Sequence, residues 1–334
     1  MNCFTLDLAP DGLGKLTGYV QEPSPELSNM NRRPALLIFP GGAYQRCSDR
    51  EAEPVALSFS AQGFQTFVLR YSVKEKARFP QPLLDAEGAM RALRVHADEW
   101  NLDPNRIAVL GFSAGGHLAS CLATMSAPEL RPNALILGYG ASSSLASKER
   151  PCPLDHIGPD TPPTFLFHTW EDPVVPVANS LAFAQALDKY SIPFELHIFQ
   201  NGQHGMATGK PLSSNGILEN TDPDYSDWIR LCTNWLFHRF GSFKTPGRQF
   251  SYRTAADENA FNGNVQLGDL LRYPEAREIV LKYLPEIERH TMPRLVSRYS
   301  VYQYSKFDPE HLPLEKAEEL VQELLALPFK KRAE

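Results

Sequence analysis

A serine stands at the centre of Gly111-Phe112-Ser113-Ala114-Gly115-Gly116, a G-x-S-x-G arrangement. A short β-branched, apolar run at 106–110 precedes it, and small, apolar residues at 115–125 follow. Strand, tight turn, helix is the setting in which this pattern acquires chemical meaning. Such a turn forces its central residue into strained backbone, the flanking glycines leave room, and the Ser113 hydroxyl is pushed out at the edge of a sheet. The helix that follows then aims its N-terminus at any anion forming there. A serine hydroxyl is a poor nucleophile alone. It needs a base within hydrogen-bond reach and a carboxylate to orient that base.

Both partners have candidates, each just after an apolar run. After residues 164–168 comes Thr169-Trp170-Glu171-Asp172-Pro173-Val174-Val175-Pro176, and after 194–199 comes Gln200-Asn201-Gly202-Gln203-His204-Gly205. In doubly wound hydrolases the three groups occur in the order serine, acid, histidine, on loops at strand ends. Ser113, Asp172 and His204 therefore form the expected catalytic set. Adjacent Glu171 competes with Asp172, but the Asp-Pro-Val-Val-Pro tail favours Asp172 and leaves Glu171 as a solvated loop charge. His117 falls just inside the elbow helix, where packing or polar support is expected of it. His168 and His197 sit within strands.

Acyl chemistry also needs two backbone N–H donors for an oxyanion. Ala114, the residue after the nucleophile, is one. The other is expected from Phe39-Pro40-Gly41-Gly42-Ala43-Tyr44, where two glycines follow an apolar strand; the sequence does not choose between Gly42 and Ala43, and a plain turn is the alternative. Tyr44 and Trp170, beside these loops, either stack on a substrate ring or pack the pocket wall. Cys47 reads as a small buried hydrophobe rather than a nucleophile, since no elbow presents it.

These residues need elements to hold them. Over the first 240 or so residues strand-like and helix-like segments alternate, the signature of a mostly parallel sheet covered on both faces. Strands are expected at 35–39, 65–71, 106–110, 134–139, 164–168 and 194–199. Helices are expected at 50–62, 82–100, 177–190 and 224–240, the first opened by a capping box at Ser48-x-x-Glu51. Phe243-Lys244-Thr245-Pro246-Gly247-Arg248 breaks the pattern. Beyond it the sequence predicts short helices at 267–272, 274–284, about 285–299 and 314–327, the last with an apolar face from Leu320, Leu324, Leu325 and Leu327. Two domains are expected: an α/β domain over 1–242 and a helical domain or lid over 243–334.

Composition excludes several classes of function. The chain has 334 residues, 43% hydrophobic and 22% charged, and a net charge of −6 that falls entirely on residues 1–242. An isoelectric point near 5.9 and the lack of any block of like charge argue against a nucleic-acid partner. Residues 1–10 carry no basic-then-apolar run, and no stretch approaches the roughly 20 apolar residues that span a bilayer. Five cysteines (Cys3, Cys47, Cys121, Cys152 and Cys232) are scattered without metal-ligand spacing, which favours free thiols in a reducing compartment. The expectation is a cytoplasmic protein with no membrane partner, metal or organic cofactor.

Several motifs, in order and spacing, resemble bacterial α/β-hydrolase esterases: Pro40-Gly41-Gly42-Ala43-Tyr44, Arg50-Glu51-Ala52-Glu53-Pro54-Val55-Ala56, Leu69-Arg70-Tyr71-Ser72, Gly111 to His117 and Gly202-Gln203-His204-Gly205. The nearest group is similar to acetyl-xylan and feruloyl esterase-like hydrolases, related to the hormone-sensitive-lipase type. Against the lipase-type His-Gly-Gly-Gly, Pro40 replaces the histidine and Ala43 the last glycine. The resemblance covers roughly residues 30–242. It implies a doubly wound α/β-hydrolase fold and a serine esterase removing acetyl or similar small acyl groups from plant-polysaccharide oligosaccharides. A prolyl-oligopeptidase-like peptidase shares the elbow and the residue order, but usually carries a large gating domain. A non-catalytic binding protein on this fold is a third reading, against which the presence of Ser113, His204 and the glycines speaks. The C-terminal helices lie outside the resemblance. Their Leu-rich faces must be buried, as a lid or as a homo-oligomer interface.

Overall fold

Each of the six expected apolar runs forms a strand, and two earlier strands join them in one eight-stranded sheet of a computed structural model. The structure describes residues 1–8, 14–143, 145, 147, 149–243, 261–289 and 293–327. The strands are β1 (Asn2–Asp7), β2 (Lys15–Val20), β3 (Arg33–Phe39), β4 (Gln65–Arg70), β5 (Leu102–Phe112), β6 (Ala134–Gly138), β7 (Thr164–Thr169) and β8 (Phe194–Phe199). Their order across the sheet is β1-β2-β4-β3-β5-β6-β7-β8. β1 and β2 pair antiparallel with each other and β2 antiparallel with β4, while β4 through β8 run parallel. The β1–β2 hairpin went unread because β1 lies at the edge and is half-exposed, with no continuous apolar run.

Parallel register lines up the strand ends. Phe39 pairs with Gly111, Phe112 with Gly138, Gly138 with Phe167, and Thr169 with Phe199. The loops after β3, β5, β6, β7 and β8 therefore leave the sheet along one edge. From β3 the chain crosses to β4 on one side, and from β5 it proceeds through β6, β7 and β8 on the other. Ligands of open α/β sheets bind at such a reversal, beyond the carboxyl ends of the strands.

Alternate residues of the buried strands fill two cores, one on each face. Leu37, Phe39, Val109, Leu135 and Leu166 pack with Met90, Leu93, Leu118, Leu122, Phe183 and Leu187. Those partners come from α2 (Gln81–Val95), α3 (Ala114–Met125) and α4 (Ala178–Lys189). Leu36, Ile38, Leu110, Phe112, Phe165 and Phe167 face the other way, against Val55 and Phe59 of α1 (Glu53–Ser60) and Trp228 and Leu236 of α6 (Trp228–Phe240). Trp228 and Phe167 stack with ring centroids 4.1 Å apart.

Three of the four helices expected within residues 1–242 depart from expectation. The capping box at Ser48 does not form: Asp49–Glu51 is a 3₁₀ turn, Ser48 makes no side-chain cap bond, and α1 starts only at Glu53. Glu51 is drawn inward by buried partners instead. α2 ends at Val95, short of residue 100. The helix expected at 224–240 is two, α5 (Pro223–Ser226) and α6, with the Asp222 carboxylate accepting from the Tyr225 amide to start the first.

The chain divides into two compact units, Met1–Thr245 and Pro246–Glu334. The second has its own apolar core, including Leu267, Leu270, Val280, Val301, Leu312, Leu320 and Leu324. Its helices are α7 (Leu267–Leu270), α8 (Pro274–Tyr283), α9 (Pro293–Val296), α10 (Val301–Phe307) and α11 (Leu314–Leu325). The helix expected at 285–299 is a 3₁₀ turn at Ile287–Arg289 plus α9, with residues 290–292 outside the described set. α10 was not foreseen, although Ser300 and Gln303 close a full capping box at its start. Beyond Phe243, the expected break at 243–248 lies outside the described residues.

Candidate active site

β5 ends at Phe112, and Ser113 takes the strained turn at φ 51°, ψ −115° before α3 begins. The turn is fixed by its own backbone. The Ser113 N–H donates to the Gly138 carbonyl at 3.1 Å, and the Ser113 carbonyl accepts from the His117 and Ala141 amides. Close approach explains Gly115: a Cβ there would lie 2.0 Å from the Phe39 carbonyl oxygen and 2.6 Å from that of Pro40. Backbone meets backbone, so neither side can yield cheaply. Gly115→Ala is expected to destabilise the chain by at least ~1–3 kcal/mol through overpacking, read as a fall in the melting temperature; an unchanged melting temperature would contradict this account of the elbow.

The three loops bring the expected partners together. His204 Nε2 lies 2.8 Å from Ser113 Oγ, and His204 Nδ1 lies 2.7 Å from Asp172 Oδ2. Asp172 is itself held, its Oδ1 accepting from the Val174 and Val175 amides at 2.8 and 2.9 Å. His168 Nε2 is 3.3 Å from Asp172 Oδ2 and donates to the Val175 carbonyl at 2.9 Å. Burial alone would raise the Asp172 carboxyl, but hydrogen bonds from His168, His204 and Val175 outweigh it and hold the group well below the usual carboxylate range. Asp172 is thus an anion that fixes the proton of His204 on Nδ1, leaving Nε2 to face the serine hydroxyl. Glu171 is exposed, and its carboxylate accepts from the Gly202 amide at 3.3 Å.

Ala114 is the first residue of α3, so its amide is outside the helix's own ladder. Across from it the loop after β3 turns through Gly42 at φ 131°, Ala43 at φ 56° and Tyr44 at φ 60°. Gly42 is required, since a Cβ there would lie 2.2 Å from the Arg46 carbonyl oxygen. The Gly41 amide is already taken, donating to Glu51 Oε2 at 2.7 Å. Among the described residues neither Gly42 nor Ala43 spends its amide on another group.

Tyr44 corrects an expectation. The left-handed turn carries its ring down into the core, where it is 0% exposed and edge-on to Tyr71, Phe79 and His117. Its hydroxyl donates to His117 Nδ1 at 2.8 Å, tying the loop to α3. Tyr44 offers no face to a sugar. Trp170 is 67% exposed and its ring remains open to solvent. His117 gives its other nitrogen to the Pro151 carbonyl, and burial lowers it to about 4, so it is a neutral support. Burial pushes the Cys47 thiol up to about 11, which leaves no thiolate to attack.

Sequence reasoning missed Glu51, Tyr139 and Arg50. Glu51 is fully enclosed, and Tyr139 donates to its Oε1 at 2.7 Å. Burial raises its carboxyl above the ordinary range, against the bonds from Tyr139 and Gly41 and the fields of His204 and Arg50, which pull it down. Arg50 donates to the Gly205 carbonyl at 2.8 Å. In the sequence the Arg50-Glu51 pair stands shortly after the glycine-rich loop, where its spacing from Ser48 reads as a helix start, and Tyr139 ends an expected strand. Among the described residues no cluster of His, Cys, Asp and Glu fits a metal ion, and no helix is long and apolar enough to cross a membrane.

Comparisons with known proteins place the fold. A family model described as BD-FAE matches residues 24–131, and one described as the prolyl oligopeptidase family matches 137–215. An acetylxylan esterase of Xylanibacter ruminicola is 30% identical over 252 residues, covering 68% of this chain and 50% of that one. The chain spans half or less of the length of the first curated relatives it matches. Among solved structures, MGS-M1, an alpha/beta hydrolase enzyme from a Medee basin deep-sea metagenome library, is 46% identical with a TM-score of 0.69. It covers 72% of this chain and 99% of its own. An acetyl ester-xyloside bifunctional hydrolase from Caldicellulosiruptor lactoaceticus is 34% identical with a TM-score of 0.60, covering 71% and 96%.

Proposed function

The chain belongs to the α/β-hydrolase family, and from that premise we propose that it is a serine carboxylesterase releasing small acyl groups, acetyl foremost, from acylated plant-polysaccharide oligosaccharides. The observation that carries this reading is the unbroken line of hydrogen bonds from Ser113 through His204 to Asp172, at 2.8 and 2.7 Å. Ser113 Oγ attacks the ester carbonyl carbon as its proton passes to His204 Nε2. Asp172 holds the Nδ1 proton and stabilises the imidazolium. The Ala114 amide and that of Gly42 or Ala43 bind the oxyanion. The C–O bond to the alcohol then breaks, His204 protonates the departing oxygen, and water repeats the sequence on the acyl-serine to return Ser113 and a carboxylic acid.

Relatives named for acetylxylan and carboxylic esters support the substrate class. The open face of Trp170 beside the acid loop suits a sugar ring. The test is acetate release from acetylated xylo- and manno-oligosaccharides. Release from these, with activated acetate esters cleaved as well, is expected; cleavage of activated esters without any release from oligosaccharides would remove the carbohydrate part of the proposal.

A second reading has one specific observation behind it. The prolyl oligopeptidase model matches the very stretch that carries the Asp172 and His204 loops. Parallel rates on p-nitrophenyl acetate and an aminoacyl-anilide separate the two, and faster turnover of the anilide would favour the peptidase.

For residues 243–334 we propose a lid or an oligomer interface. A chain ending near Gly241 should then change in activity, specificity or solution mass. If all three are unchanged, both roles fall.

A further inference from the structure

Three of the loops that meet at the candidate site are joined by one carboxylate that takes no part in the line from Ser113 to Asp172. Glu51 is 3% exposed. Its Oε2 accepts from the Gly41 amide at 2.7 Å, in the loop after β3, and its Oε1 accepts from the Tyr139 hydroxyl at 2.7 Å, in the loop after β6. Tyr139 Oη in turn accepts from the Ala207 amide at 3.1 Å, in the loop after β8 that carries His204. The Tyr139 ring also stands edge-on to the His204 imidazole, with centroids 5.0 Å apart. Arg50, the preceding residue, makes a second tie to that loop by donating to the Gly205 carbonyl at 2.8 Å and the Ser213 carbonyl at 3.5 Å. The carboxylate lies close to the chemistry: a Cβ built on Gly41 would be 2.8 Å from Glu51 Oε2 and 2.9 Å from Ser113 Cβ.

Building a carboxylate into a core is a poor route to stability, because well-packed apolar replacements of buried charged groups are often neutral or stabilising. Both oxygens of Glu51 are nevertheless spent on site loops, one on the loop offering the oxyanion donors and one, through Tyr139, on the loop offering the base. Effective catalysis needs those two sets of atoms at a fixed separation, and a displacement of about 1 Å can cost on the order of 10²-fold in rate.

We propose that Glu51, with Arg50 beside it, is a positioning residue: it locks the oxyanion loop to the histidine loop and so fixes His204 relative to the Gly42 and Ala43 amides. The proposal rests on the esterase reading for its substrate, though not for its geometry. Glu51→Gln keeps the volume but replaces a group that accepts at both oxygens with one that accepts at a single oxygen, so the Tyr139 hydroxyl must either reverse its bond or lose it. Tyr139→Phe keeps the ring and removes the hydroxyl that links Glu51 Oε1 to the Ala207 amide, so that both of its hydrogen bonds are lost.

The experiment measures kcat and KM on p-nitrophenyl acetate, together with the rate at which a fluorophosphonate labels Ser113. The full-length wild type, each single variant and the double variant are compared. Glu51→Gln is expected to lower kcat and the labelling rate on the order of 10²-fold with KM nearly unchanged. Tyr139→Phe should give a smaller loss of the same kind, and the double variant should be no slower than Glu51→Gln alone, because both act through one connection. Full kcat and full labelling rate in Glu51→Gln, whatever its melting temperature, would overturn the proposal, as would losses that simply add. If Glu51→Gln does not fold, Tyr139→Phe decides alone: slower labelling supports the role and an unchanged rate refutes it. If the wild type is labelled at Ser113 but turns over no ester, the esterase reading fails while the labelling rates still judge Glu51. No labelling of wild-type Ser113 would overturn both.

Discussion

Ser113→Ala is expected to lower kcat/KM on an activated acetate ester by about 10⁴-fold or more while leaving the fold intact. The size of the effect follows from geometry. Ser113 Oγ faces His204 Nε2 at 2.8 Å, and alanine has no oxygen there to take an acyl group. The fold should survive, because alanine at φ 51° carries the same backbone strain as serine, and the turn is held by main-chain bonds to Gly138, His117 and Ala141. Groups that act as a unit are not additive. Ser113→Ala combined with His204→Ala should therefore be no worse than either alone, leaving only the oxyanion amides and binding. Steady-state kinetics beside thermal melting checks both halves; retention of most turnover in Ser113→Ala would end the nucleophile assignment.

Asp172→Asn should be nearly as damaging to kcat, with a loss on the order of 10⁴-fold and little change in KM. An asparagine can present N–H to His204 Nδ1, which favours the tautomer with its proton on Nε2, pointing at the serine instead of receiving from it. The same substitution has a signature in stability. The Asp172 carboxyl is held below its ordinary range by His168, His204 and Val175, against the effect of burial. A carboxyl depressed in the folded state contributes stability that is present above its unfolded pKa and is lost as pH falls through the folded one. The melting temperature of the wild type should thus exceed that of Asp172→Asn near neutrality, and the gap should narrow below about pH 4, the ordinary Asp range. A gap constant with pH would mean that the native contacts do not favour the charged form.

Much of this arrangement is legible in the sequence, for physical reasons. A fully buried parallel strand must be an unbroken apolar run, so β3 and β5 through β7 announced themselves, and a loop that starts where such a run ends must lie at the sheet's carboxyl edge. That logic placed Ser113, Asp172 and His204 on one edge, and the structure sets them within hydrogen-bond distance. Local signals failed where tertiary contacts outbid them. Ser48 and Glu51 have the spacing of a capping box, yet Glu51 is claimed by Gly41 and Tyr139, whereas the same kind of signal at Ser300 and Gln303 closes both of its bonds. The sequence leaves Tyr44 between a substrate platform and packing because its neighbours are site residues, and the left-handed turn at Ala43 and Tyr44 sends its ring into the core. The Arg50-Glu51 pair is visible in the sequence, but not what it ties together, since its partners lie 88 residues from Glu51 and 155 from Arg50.

The central claim is that acyl transfer passes through Ser113, and one measurement tests it most directly. The full-length protein is incubated with a fluorophosphonate in the presence and absence of p-nitrophenyl acetate, and the adduct is mapped by peptide mass while residual turnover is followed. The account predicts a single adduct on the peptide carrying Ser113, slowed by the ester and forming in step with the loss of turnover. Turnover that persists with Ser113 fully labelled, or that disappears with Ser113 unmodified, would contradict it.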